Sequence, residues 1–307
     1  MTTQPAAPAG ARWLYAPSGR LRAPWRLALY ALAFVAGLAI AQGLAYPILA
    51  ALARLVTARP SLESWLALTA AVVAHVLVLR VVERRPIADV GLGRRAASPA
   101  LLATGALLGA AAIGVPCALL LAGRELREVA APAGSWGAVA GSLLAALAPA
   151  ALFEELFVRG YPLLVLTEAL GAPAALVITS VVFGALHLQN PNATLGFVGV
   201  VALAGIFLGA IRLTTGSLWA AFAAHLAWNW TLAAGFHAAV SGLPFATPGY
   251  RLVDAGPAWL TGGAWGPEGG AAAVAGMCGG LALLWWRAPR AMRDSLIGGD
   301  GRRTPST

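Results

Sequence analysis

The chain has 307 residues, 59% of them hydrophobic and only 11% charged, with a mean hydropathy of +0.76. A soluble domain carries about 25% charged residues, so this composition excludes one and belongs to a membrane protein with several spans. The net charge of +9 rests on 21 arginines without a single lysine. These arginines flank apolar segments instead of forming one patch, which speaks for membrane orientation and against nucleic acid as a partner.

Residues 1–24 are rich in Pro, Ala and Arg and lack the short apolar core of a cleavable leader. They read as a cytoplasmic tail. A spanning helix needs about 20 apolar residues, and residues 25–288 divide into eight predicted spans: 25–52, 62–82, 99–122, 136–166, 172–188, 195–213, 217–239 and 270–287. Pro47 predicts a kink or an early end in the first span. In the fourth, Pro149 predicts a kink ahead of an acidic pair. Gly160 and Pro162 weaken its second half, so that part of it can line a cavity.

The stretch 241–269 is rich in Gly and Pro and is expected to cross the outer surface without a fold of its own. Residues 289–307 form a second cytoplasmic tail. The expected fold class is all-α: one polytopic bundle with a polar site in its interior and a catalytic core at about 136–235. No internal repeat is evident, so the symmetry of a secondary transporter is missing.

Both termini are expected inside. Fifteen arginines then lie on the cytoplasmic side and five (Arg54, Arg59, Arg124, Arg127, Arg251) outside, with Arg159 left out of both groups. Trp25, Trp65, Trp136, Trp219, Trp285 and Trp286 sit near span ends as interfacial anchors. The expected location is the cell's inner or plasma membrane, with membrane lipids as partners. Cys117 and Cys278 each lie in an apolar run and read as packing residues, as His75 and His237 read as satisfied interior histidines.

Three helices carry polar groups that need another explanation. Glu154 and Glu155 are adjacent in a membrane-length apolar segment, where each charge costs roughly 2.5–3.5 kcal/mol on insertion scales. Residues i and i+4 share a helix face whereas neighbours point about 100° apart. Glu155 is therefore paired with Arg159, and Glu154 is left for chemistry. His187, four residues after Phe183, opens into a polar turn containing Asn190 and Asn192. His225 and Asn229 again stand at i and i+4.

Such a group has two chemistries open to it. Glu154, His187 and His225 are a plausible zinc set with one position open for water. Without metal, Glu154 assisted by His187 deprotonates a water, while His225 and Asn229 donate hydrogen bonds to the oxyanion. There is no HExxH and no GxSxG, which argues against zincin chemistry and a serine elbow.

The three motifs, Glu154-Glu155-Leu156-Phe157-Val158-Arg159, Phe183 to His187 and His225 to Asn229, resemble in order and spacing those of the CPBP family of intramembrane proteases. That group contains the CAAX prenyl endopeptidases and bacterial abortive-infection-type proteins. The phrases from His187 to Ala193 and from Thr215 to Trp219 are similar too, and so is Arg85-Pro86 with Gly91-Leu92-Gly93, so the likeness covers roughly residues 80–235.

The resemblance implies Glu154 as the catalytic carboxylate and His187 as its partner in activating water. It implies His225 and Asn229 as oxyanion stabilisers, with Glu155 and Arg159 in support. Its metalloprotease label keeps a divalent metal such as zinc open beside the metal-free route. The expected activity is hydrolysis of a peptide bond in a membrane-associated protein or peptide. The alternatives are a non-catalytic membrane immunity or assembly partner, and a proton-coupled carrier using Glu154.

Overall fold

The computed structural model describes residues 13–53 and 62–287. Most of the first tail, Arg54, Arg59 and the expected second tail lie outside them. Among the described residues the chain is a helical bundle with one small β-ribbon, a multi-pass membrane protein.

Helix α1 (Ala23–Ile40) passes through a π-helical turn, Ala41–Ala45, into α2 (Tyr46–Ala53), so Pro47 is met by a wider turn. Then come α3 (Leu62–Leu77), α4 (Pro99–Ala122), β1 (Leu126–Ala130), α5 (Trp136–Arg159), α6 (Tyr161–Leu170), α7 (Ala172–Leu186), α8 (Leu195–Thr215) and α9 (Leu218–Trp230). The chain continues with β2 (Tyr250–Asp254), α10 (Ala258–Thr261) and α11 (Ala271–Arg287). Side-chain oxygens of Ser98, Ser135, Thr194 and Ser217 cap the starts of α4, α5, α8 and α9, satisfying N–H groups the helices leave open.

Among the described residues, six helical stretches are long and apolar enough to cross a membrane: Ala23–Leu52, Leu62–Val82, Pro99–Ala122, Trp136–Leu170, Ala172–Gln189 and Leu195–Thr215. The predicted seventh and eighth spans contain shorter helices. Helix α9 has 13 residues before a π-helical turn, and α11 has 17. The long fourth span breaks at Gly160. There Tyr161 N–H donates to His75 Nε2 at 3.0 Å, while His75 Nδ1–H donates to Ala71 O at 2.8 Å. His75 is thus a satisfied interior histidine that caps the break. A Cβ on Gly160 would stand 2.2 Å from its ring.

Small residues set the helix approaches that matter for the site. Gly105 and Gly109 of α4 lie against the backbone of Ala220 and Ala224 on α9. A Cβ at either glycine would come within 2.1 and 2.0 Å of those carbonyl oxygens. This is the small-xxx-small packing that membrane helices use when hydrophobicity cannot drive association. It fixes α9 one residue before His225. On the other side, Gly184 of α7 meets Val198 O of α8, close to His187.

The stretch 241–269 departs from expectation: it is folded. Strand β2 pairs antiparallel with β1, Leu126 opposite Asp254 and Ala130 opposite Tyr250. The segment from α10 to the start of α11 buries Trp265 fully and Glu268 nearly so. Its glycines permit close turns; Gly262 has φ 84°, and a Cβ there would lie 1.8 Å from Gly266 O. The richness in Gly reflects tight folding, not slack. This segment is called the cap below.

At the opposite end the arginines do more than flank spans. Arg26 is buried and donates to Glu83 (2.5 Å) and Glu168 (2.8 Å). Glu83 also accepts from Arg20 and from Tyr161 OH (2.5 Å), and Glu168 from Arg85. Burial raises the Glu83 carboxyl's affinity for a proton, but hydrogen bonds from Tyr161, Arg20 and Arg26 outweigh it and hold the carboxyl below its ordinary range. Of the two cysteines, Cys117 is buried as expected, whereas Cys278 lies exposed on α11.

Candidate active site

Helix α5 brings the acidic pair inward, and its pitch divides the two residues as their spacing predicts. Arg159 Nη1 donates to Glu155 Oε1 at 3.1 Å, and both side chains are 0% exposed. Glu154 points elsewhere and keeps 29% of its side-chain exposure. Arg159 also donates from Nη2 to Gly205 O of α8 at 3.3 Å, and its guanidinium lies 4.0 Å from the Phe183 ring centre. Phe183 therefore carries a cation–π contact. Its edge-on contacts with the rings of His187 (4.8 Å) and His225 (6.0 Å) make it a common wall for both.

Each histidine is fixed through Nδ1. His187, just past α7, donates Nδ1–H to Phe183 O at 2.8 Å. His225 donates Nδ1–H to Glu155 Oε1 at 2.9 Å. A carbonyl and a carboxylate only accept, which assigns the proton to Nδ1 and turns both Nε2 atoms toward the remaining carboxylate. Glu154 Oε2 lies 3.9 Å from His187 Nε2 and 3.8 Å from His225 Nε2. That oxygen is buried and makes no hydrogen bond within the protein; Glu155 Oε2 and Arg159 Nε are likewise unbonded. Buried polar atoms without protein partners mark positions for water.

A cavity of about 40 Å³ lies beside these groups, lined by His187, His225, Asn229, Ser241, Glu268 and apolar side chains of α8. A water needs about 10–15 Å³. The cavity therefore admits a few waters and not yet a peptide.

Of the residues read from the sequence, Glu154, His187, His225 and Asn229 come together, with Glu155, Arg159 and Phe183 behind them. Asn190 stands apart. It donates from Nδ2 to Ser241 O at 3.0 Å and fastens the turn after His187 to the cap.

Glu268 escaped the motif reading although it lines the cavity. Its Oε2 accepts from Trp228 Nε1 at 2.8 Å, and its Oε1 from Ser241 Oγ at 2.8 Å. It is the sole carboxylate between Asp254 and Asp294 and stands just before an apolar helix. That isolation was the one signal available.

Ligands around a tetrahedral zinc at about 2.0–2.2 Å stand about 3.3–3.6 Å apart. The Glu154 and histidine atoms are of the right kind, and each imidazole is braced from behind as metal ligands are. Their separations are wider, however. Among the described residues no group of three or more His, Cys, Asp or Glu is gathered closely enough to hold a metal ion. As placed, the residues do not fit a metal.

Residues 135–231 match the family model described as Rce1-like, type II CAAX prenyl endopeptidase Rce1-like. That segment of the chain is similar to the family. It runs from the start of α5 to just beyond α9 and contains all three motifs, in agreement with the resemblance seen in the sequence. The cap, α1 to α4 and α11 lie outside the match. No curated protein and no solved structure matches the chain.

Proposed function

We propose that the chain is an intramembrane endopeptidase in which Glu154 activates a water to attack a peptide carbonyl. The observation that supports this most is the convergence of Glu154 Oε2, which is buried and makes no hydrogen bond within the protein, with two imidazole Nε2 atoms. A water within hydrogen-bond reach of Glu154 Oε2 and His187 Nε2 is the nucleophile of this reading.

Glu154 takes one proton of that water, held by His187, as its oxygen bonds to the carbonyl carbon. The oxyanion that results faces Asn229, whose Nδ2 donates, and His225. For His225 to donate from Nε2 it must carry its second proton, because the first is committed to Glu155. The Glu155 carboxylate supports that imidazolium. Glu154 then passes its proton to the leaving nitrogen as the C–N bond breaks, which balances the hydrolysis.

The full chain in detergent, given an internally quenched prenylated CAAX peptide of the kind the matched family's description names, provides the test. Glu154→Gln and His187→Ala should each abolish cleavage with unchanged melting temperature. Normal cleavage by either would refute the mechanism. Metal analysis of the active protein, with activity measured after chelation, examines the metal-free route. Activity lost to chelation and restored by zinc would overturn it. A non-catalytic membrane partner would cleave nothing, and its motif variants would alter only protein level.

A further inference from the structure

Glu268 joins three separate pieces of the fold around the cavity. It receives hydrogen bonds from the Ser241 backbone N–H and from Ser241 Oγ (2.8 Å) at the start of the cap, and from Trp228 Nε1 (2.8 Å) of α9. Ser241 in turn accepts through its carbonyl oxygen from Asn190 Nδ2 (3.0 Å), in the turn that follows His187. The next residue, Gly242, has φ 79° and is seated so closely that a Cβ would lie 2.1 Å from Pro191 O of the same turn. Its N–H donates to Trp265 O at 2.8 Å.

The result is a continuous path, Asn190 to Ser241 to Glu268 to Trp228, from the turn carrying His187 to the helix carrying His225 and Asn229. The same turn also reaches the cap through Asn192 Nδ2, which donates to Ala264 O at 3.5 Å. All three donors on Glu268 point at an acceptor, and the residue is 8% exposed. An amide in its place keeps one acceptor oxygen and sets its NH2 against a donor.

From this geometry we infer that Glu268 is a positioning residue: through Ser241 and Trp228 it sets the separation of His187 from His225 and Asn229. Its two carboxylate oxygens are taken up by Ser241 and Trp228. The inference rests on the proposed peptidase reading, and a misplacement of about 1 Å in such a site costs about 10²-fold in rate.

The test uses the full chain in detergent with the quenched prenylated CAAX peptide, and compares Glu268→Gln, Glu154→Gln and Glu128→Gln, the last a carboxylate on the exposed face of β1. Glu268→Gln should lower kcat about 10²-fold with KM unchanged. Hydrogen exchange in the 188–193 turn should quicken in the same variant. Ser241→Ala, which keeps the backbone donor, should lose less, and Glu128→Gln nothing.

An unchanged kcat in Glu268→Gln, or a change in KM alone, overturns the inference while leaving the peptidase reading intact so long as Glu154→Gln is inactive. An active Glu154→Gln instead brings down the reading beneath it. If Glu268→Gln does not fold, Trp228→Phe removes only the indole donor. A smaller loss of kcat there supports the inference, and wild-type kcat overturns it.

Discussion

His225 Nδ1 lies 2.9 Å from Glu155 Oε1, the same oxygen that Arg159 Nη1 reaches at 3.1 Å. One carboxylate oxygen thus holds both a fixed cation and an imidazole. Glu155 is more than the partner of Arg159: it determines which nitrogen of His225 faces the cavity.

Glu155→Gln should therefore leave the peptide bound and the chemistry slow. An amide that accepts from Arg159 can turn its NH2 toward His225 and favour the wrong tautomer. A comparable change behind a catalytic imidazole lowers kcat by about 10⁴-fold, and a loss approaching that is expected. Stability should fall as well, by about 3–5 kcal/mol where a buried ion pair loses a partner. Single-turnover rates on the folded fraction separate the two effects.

Asn229→Ala removes the amide at the cavity wall. If that amide faces the oxyanion, kcat should fall about 10²–10³-fold and the melting temperature should stay put. A matching rise in KM with kcat intact would place Asn229 in binding instead.

Gly109→Ala puts a Cβ 2.0 Å from Ala224 O, against rigid backbone. Helix α9 must move away from α4, taking His225 with it. Both thermal stability and cleavage should drop. Gly137→Ala, with nothing within 4 Å, should leave both near wild type. Paired melting curves and rates decide the point.

The Glu83 cluster gives a pH dependence of stability. Its carboxyl is held below the ordinary range, chiefly by hydrogen bonds that outweigh burial. The unfolded chain then binds more protons through this group, and stability rises with pH. Its contribution is fully present above the unfolded value of about 4.5 and is lost as pH falls through the lower folded value. Melting temperatures in detergent should decline below about pH 4.5, and Glu83→Gln should flatten that decline from a lower starting point.

The site was legible where helical spacing alone decides direction. Glu155 with Arg159 and the separate aim of Glu154 follow from a 100° step, and the observed pair confirms that geometry. The meeting of Glu155 with His225 was not legible, since spacing within two helices says nothing about their rotation against each other. The Arg26, Glu83 and Glu168 cluster was hidden in the same way, because each residue alone looks like a flanking charge.

The cap was missed for another reason. Strand β2 is five residues long and finds its partner far upstream, so neither period nor neighbourhood announces it. Glycines needed for close turns also look like the glycines of a loose loop.

Arg159 sits fully buried beside the groups to which the proposed mechanism gives proton transfers, and a guanidinium does not give up its own proton. It acts as a constant in the site's charge balance. Glu155 cancels it. A further carboxylate within a membrane is less costly with a positive charge beside it. In the proposed mechanism a cationic His225, between the two carboxylates, is that charge. On the proposed reading Arg159, Glu155, Glu154 and that His225 cancel, and the buried carboxylate of Glu268 beside them is met by three hydrogen-bond donors instead of a cation.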